Sequence, residues 1–219
     1  MEKYSLPDLD YDFGALEPHI SGRIMELHHD KHHAAYVKGA NDATEALNEA
    51  REKNDFGKIA SLQRALAFNL SGHVLHSIFW KNLAPRRGGQ PTGPLATALG
   101  SAFGDFDRFK AQLIETAMTT SGSGWAALSW EPLGQRLITT QIHDHQSEVT
   151  QGGIPLLVLD AWEHAYYLQY GPDKKPFFQG VFNLWNWDDV AARFESARAL
   201  DLGLGNRSSA GAKAAAKRG

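Results

Sequence analysis

Ile154-Pro-Leu-Leu-Val-Leu159 runs directly into Asp160-Ala-Trp-Glu-His164-Ala-Tyr-Tyr167. The first part is a short apolar run of the kind that forms a buried strand. The second puts a carboxylate at the end of that strand and an imidazole one turn later. A carboxylate in such a place is costly unless it is paired or bound to a metal. A helix N-cap is the rival role for Asp160, and the sequence allows it. Capping alone leaves His164 unexplained, together with two histidine groups upstream, His28-His29-Asp30-Lys31-His32-His33 and Gly72-His73-Val74-Leu75-His76.

On the N-terminal side of this strand the chain reads mostly as helix. Apolar residues recur at helical spacing from about 18 to 50 (Ile20, Ile24, Leu27, Ala34, Ala40, Ala43, Leu47) and from about 56 to 83 (Ile59, Leu62, Leu66, Leu70, Val74, Ile78). The polar link 52–57 makes these two an antiparallel hairpin. Residues 84–94 hold three prolines and three glycines, which marks a boundary. A helix over 95–120 follows, then alternating strands at 125–131 and 136–143 joined by a turn. Ile154–Leu159 is the third strand, and a last helix starts at the Asn186–Asp189 cap. The expectation is an α+β fold: an N-terminal helical hairpin followed by a C-terminal α/β subdomain with a three-stranded antiparallel sheet. The domains are residues 1–90 and 91–202, with a flexible basic tail at 203–219.

Composition narrows the function. The 219 residues are 42% hydrophobic and 21% charged, as in ordinary globular proteins. Of 22 basic and 25 acidic side chains, four bases and no acid lie from Gly203 onward, so the body is acidic. An acidic body argues against a nucleic-acid surface. With no cysteine, disulfides, thiolate ligands and cysteine nucleophiles are excluded. The N-terminus lacks a basic stretch followed by an apolar core, and no apolar run is long enough for a bilayer, so a cytoplasmic protein with no membrane partner is expected.

Three segments can therefore meet around an ion. His28 follows the apolar phase of Ile24 and Leu27, and His32 and Tyr36 continue the same helix face. His29 and His33 are expected on a polar, solvated face. His76 lies among Val74, Leu75, Ile78, Phe79 and Trp80, where a lone histidine is more often a hydrogen-bonded core residue; the hairpin, which brings the second helix alongside the first, favours a ligand. His73 is the structural alternative. Three imidazoles and one carboxylate leave a coordination place open on a first-row transition ion. Calcium or magnesium would call for more oxygens. A non-haem iron oxygenase is the rival enzyme, and a ferritin-like storage protein would need Glu-x-x-His pairs that are absent.

At these residues the chain resembles the iron/manganese superoxide dismutase family, over residues 3–200. Asp-x-Trp-Glu-His-Ala-Tyr-Tyr at 160–167 is that family's signature, and Met25–Val37, Gly72–Trp80 and Gly122-Ser-Gly-Trp125 match its other blocks in order. The resemblance implies a dismutase acting on superoxide, with metal ligands His28, His76, Asp160 and His164 and one manganese or iron ion per subunit. His32 and Tyr36 become gateway residues, and Trp80, Trp125 and Trp162 wall the cavity. It also implies a homodimer or homotetramer with Glu163, Tyr167 and His32 at the dimer interface. Gly72 stands where iron-type members carry glutamine, which leans the ion towards manganese. His143, in Ile142-His143-Asp144, takes the place of the manganese-type glutamine, in the pattern of actinobacterial members that include both metals. The expected machinery is then Tyr36 and His32 for protons and His143 for tuning the ion, with Lys31 and Lys174 as candidates for drawing in the anion.

Overall fold

The computed structural model describes residues 2–203. The basic tail expected from 203 onward lies outside the described residues after Gly203. Helix α1 (Gly22–Leu27) begins where Ser21 Oγ accepts the Ile24 N–H at 3.3 Å, four residues later than the periodicity suggests. It continues through a π-helical stretch, His28–His33, into α2 (Ala34–Glu52). Helix α3 (Ile59–Asn82) returns alongside α2. At Gly39 on α2 the Asn69 side chain of α3 lies where a Cβ would sit, so any larger residue there would have to displace it.

One expected helix is two. The stretch 95–120 divides into α4 (Gly93–Phe103) and α5 (Phe106–Thr119). Gly104 ends the first at φ 92°, a conformation open mainly to glycine, and Asp105 Oδ1 caps the second by accepting the Arg108 N–H at 2.8 Å.

Strands β1 (Gly124–Glu131), β2 (Arg136–His143) and β3 (Ile154–Asp160) form an antiparallel sheet in the order β2-β1-β3. The alternation expected of β1 is absent, since Gly124 to Trp130 are all buried. As the central strand it has β2 and β3 at its edges and α5 and α8 packed against it, so it keeps no solvent face. After β3 come α6 (Tyr167–Tyr170) and α7 (Lys175–Val181), neither anticipated from periodicity because both are too short to show it. Helix α8 (Trp187–Arg198) closes the described chain.

Asn82, fully buried at the end of α3, joins the helical hairpin to the sheet. Its Nδ2 donates to Leu156 O at 3.1 Å and Asp189 Oδ2 at 2.9 Å, while its Oδ1 accepts the Val158 N–H at 3.0 Å. One side chain thus fixes α3 against β3 and α8, and with them His76 against Asp160. Among the described residues no helix is long and apolar enough to cross a membrane.

Candidate metal centre

Asp160 ends β3 directly opposite Trp125 on β1. Its two oxygens have separate tasks. Oδ1 accepts the Trp162 backbone N–H at 2.8 Å, which holds the turn leaving the strand. Oδ2 faces three imidazoles: His28 Nε2 at 3.1 Å, His164 Nε2 at 3.3 Å and His76 Nε2 at 3.9 Å. The helix N-cap role is not what Oδ1 performs: the short 3-10 helix Glu163–Ala165 has Trp162 at its N-cap position, and Asp160 closes an Asx turn ahead of it while Oδ2 serves the cluster. The ligand atoms of these four residues lie within 4.8 Å of one another.

Two of the three nitrogens have no partner, while His164 Nε2 is hydrogen-bonded to Asp160 Oδ2 at 3.3 Å. His76 Nδ1–H donates to Gly72 O at 2.6 Å, one helical turn back, which leaves the Nε2 lone pair free. His76 Nε2 and His28 Nε2 are buried without a hydrogen-bond partner; the 3.1 Å approach of His28 to Asp160 lacks hydrogen-bond geometry. An unpaired buried polar atom costs about 1–3 kcal/mol, and a cation between these atoms removes that cost. Burial pushes His28 down to about 4, helped by His164, and pushes His76 well below the usual imidazole range. Burial alone would raise the Asp160 carboxyl, but His164 and His28 outweigh it and hold it below the ordinary carboxylate range. Three imidazoles and one carboxylate, a mixed N/O donor set, fit a first-row transition ion.

Tryptophans pack on each side of the cluster. Trp80 meets the His28 ring edge-on at 4.9 Å, Trp125 meets His76 at 5.0 Å, and Trp162 stacks on His164 at 5.3 Å. His32 is half-buried and stacks on His164 at 4.2 Å. Tyr36 is buried, with its ring 5.1 Å from His76. Its phenol is raised by burial and by Asp160 and Asp144, so it keeps its proton through the neutral range.

Three expectations about histidines need correction. His143 does not face the cluster: it is the last residue of β2, and its Nε2 lies 3.5 Å from Glu148 on a part-exposed face. Ile142 is the last inward residue of that strand, and strand alternation turns His143 outward. Asp144, at φ 50°, then redirects the chain, and His145 enters instead. It is 2% exposed, stacks on Trp162 at 4.6 Å and meets Tyr36 at 4.5 Å. Its Nδ1 accepts the Trp125 indole N–H at 3.0 Å, so neutral His145 carries its proton on Nε2, a buried donor with no partner. Tyr36 and His145 close over Gly72, where a Cβ would come within 2.9 Å of the tyrosine and 3.2 Å of the imidazole.

His29 and His33, expected on a solvated face, are 7% and 0% exposed. The π-helical spacing, i to i+5, turns His33 to the same side as His28. His29 is covered by the N-terminal segment, with Nε2 2.8 Å from Pro7 O and Nδ1 2.7 Å from Asp30. Lys174, a candidate for attracting an anion, instead donates to Ala117 O at 3.4 Å and Thr120 O at 3.3 Å, at the end of α5.

Residues 3–84 match the family described as iron/manganese superoxide dismutases, alpha-hairpin domain, and residues 91–193 match the C-terminal domain of the same family. The chain belongs to the iron/manganese superoxide dismutase family. It is 55% identical over 204 residues to "Superoxide dismutase [Fe]" of Mycobacterium tuberculosis (strain ATCC 25618 / H37Rv), covering 93% of this chain and 99% of that one. To "Superoxide dismutase [Mn/Fe]" of Propionibacterium freudenreichii subsp. shermanii it is 56% identical over 197 residues, covering 89% and 98%. To "Superoxide dismutase [Mn]" of Mycolicibacterium smegmatis it is 54% identical over 204 residues, covering 93% and 99%.

Acid should destabilise this member of the family when it is ion-free. Burial, first of all, pushes His28 and His145 down to about 4 and His33 to about 3. From pH 6.5 down to about 4 the unfolded chain binds protons at these positions while the folded chain does not, so stability is full above 6.5 and falls as pH falls. His28 alone accounts for about 2 kcal/mol at pH 5. Urea midpoints of ion-free protein at pH 7 and pH 5 measure this; equal midpoints would contradict the buried neutral cluster.

Proposed function

We propose that the protein converts superoxide to dioxygen and hydrogen peroxide with one iron or manganese ion per subunit, held by His28, His76, Asp160 and His164. The observation that carries this is the convergence of two unpartnered buried imidazole nitrogens, a third imidazole and Asp160 Oδ2 within 4.8 Å, in a chain of this family. The relatives, at similar identity, are named for iron, for manganese and for both, so the proposal names either ion.

A bound iron or manganese ion supplies the one-electron exchange, taking an electron from one superoxide and giving an electron to the next. The remaining work falls to side chains. Two protons are consumed for each hydrogen peroxide formed, and Tyr36, which retains its phenol proton, and His32, half-exposed beside His164, are placed to deliver them. His145 Nε2–H, a buried donor beside Tyr36, is the group we assign to hydrogen-bond an oxygen species in the site. Such a donor favours one protonation state of that oxygen over another and so sets how readily the site gives or takes an electron. Trp80, Trp125 and Trp162 keep bulk water from the ligand rings.

The same reading extends to assembly and location. We assign a symmetric dimer or tetramer with Glu163, Tyr167 and His32 at the contact, supported by the exposure of Glu163, just before His164, and of Tyr167 (48%) and Leu168 (69%), one turn after it. Glu163→Ala should shift sedimentation from the dimer towards the monomer and lower activity per subunit; an unchanged dimer would contradict the assignment. Two domains, 1–90 and 91–202, are supported by family matches that end at 84 and resume at 91. We assign the protein a cytoplasmic antioxidant role, with which a chain lacking cysteine is compatible.

The direct test is superoxide consumption by purified protein reconstituted separately with iron and with manganese. At least one form should catalyse it; consumption by neither would overturn the proposal.

A further inference from the structure

Behind the ligand cluster lies a second set of histidines that the reaction does not use. The Trp80 indole N–H donates to His33 Nδ1 at 2.9 Å, and His33 Nε2 lies 2.7 Å from His73 Nδ1. An indole nitrogen only donates, so His33 Nδ1 must be bare. The proton of neutral His33 is then on Nε2 and donates to His73 Nδ1, which leaves the His73 proton on its other nitrogen. Every link has one direction. The chain also ends at an indole N–H, whose nitrogen has no lone pair free to accept a proton, so it does not serve as a proton path. What it can do is hold geometry. His33 is fully buried, stacks on His76 at 5.3 Å and 22°, and anchors the tryptophan that meets His28 edge-on at 4.9 Å.

We propose that His33 is a positioning residue for the ion site, acting on His28 through Trp80 and on His76 by stacking, with His73 fixing its tautomer. This deepens the proposed function and rests on His28 and His76 being ion ligands. The side chain is wedged where the π-helical stretch meets α3, so its orientation is shared by both ligand-bearing segments. Without an acceptor at the Nδ1 place, the Trp80 indole keeps a buried, unpaired N–H, an unfavourable state relieved by rotation of the ring. That rotation withdraws the face against which His28 packs.

The test uses ion-loaded protein in four forms: parent, His33→Phe, His33→Asn and His73→Leu. Asparagine restores an acceptor oxygen near the Nδ1 place without the imidazole. The readouts are the rate of ion release to an excess chelator and the electron paramagnetic resonance spectrum of the bound manganese(II) or iron(III). His33→Phe should release its ion about tenfold faster, the lower end of the loss when a group supporting metal ligands is removed, with a shifted zero-field splitting. His33→Asn should return the spectrum towards the parent, and His73→Leu should shift it in the same direction as phenylalanine, by less. If His33→Phe and His73→Leu keep the parent spectrum and release rate and lose only melting temperature, the positioning role is wrong. Should His33→Phe fail to fold, the other two variants decide by the same readouts. A parent that binds no stoichiometric ion, or a His76→Ala variant that retains it, overturns the ligand assignment itself and is a different result from normal binding with an indifferent His33.

Discussion

Asparagine at position 160 is expected to cost the protein its ion and its activity together while leaving the fold in place. The substitution keeps the side-chain volume and keeps an oxygen to accept the Trp162 N–H, so the turn after β3 survives. What it removes is the one negative charge facing His28, His76 and His164. A cation among three imidazoles in a buried site then has no compensating anion, and burying an uncompensated charge is strongly unfavourable. Ion affinity should fall by more than about a hundredfold, the upper end of what losing even a partner behind a ligand costs, and superoxide consumption should fall with it. Circular dichroism should be that of the parent. Ion content by mass spectrometry on the purified variant, beside the activity, is the measurement. A variant that holds a full equivalent of ion and turns over normally would remove Asp160 from the site.

Alanine at 145 should lower activity and move the midpoint potential, whereas alanine at 143 should do neither. His145 is buried between Trp125, Trp162 and Tyr36 with a free Nε2–H, while His143 pairs with Glu148 at the part-exposed end of β2. Neither is among the four ligands, so both variants should still load. For His145→Ala the loss in activity is expected at about ten- to a hundredfold, as for other groups that tune a metal site from behind its ligands. Glutamine at 145 can donate from a similar place and should recover part of it. Redox titration and activity of the loaded variants separate the two histidines. Equal and small effects would show that the imidazole at 145 is only filling space.

Much of this site is legible in the residues themselves. Asp160 at the end of an apolar strand, and His76 in the middle of an apolar helix, are costly unless something repays the burial, and both face the cluster. Both helices of the hairpin follow from apolar periodicity, and the three strands from short apolar runs between turn residues; the phase expected of β1 fails because that strand is buried on both faces. His145 was less accessible, since its direction depends on the positive φ of Asp144 in a loop after the strand. Even so, an inward Ile142 already implies an outward His143. The burial of His33 depends on a π-helical stretch, and an α-helical phase carried past His28 places His33 on the wrong side. The division between α4 and α5 was readable: Gly104-Asp105 is a stop followed by a cap, and the apolar phase on either side conceals it.

Anomalous diffraction from crystals of the reconstituted protein, recorded on either side of the iron or manganese absorption edge, tests the central claim most directly. The account predicts one peak per subunit, within bonding distance of His28 Nε2, His76 Nε2, His164 Nε2 and an oxygen of Asp160. A loaded protein whose only peak lies away from those four atoms, or bonds to fewer than all of them, would contradict it.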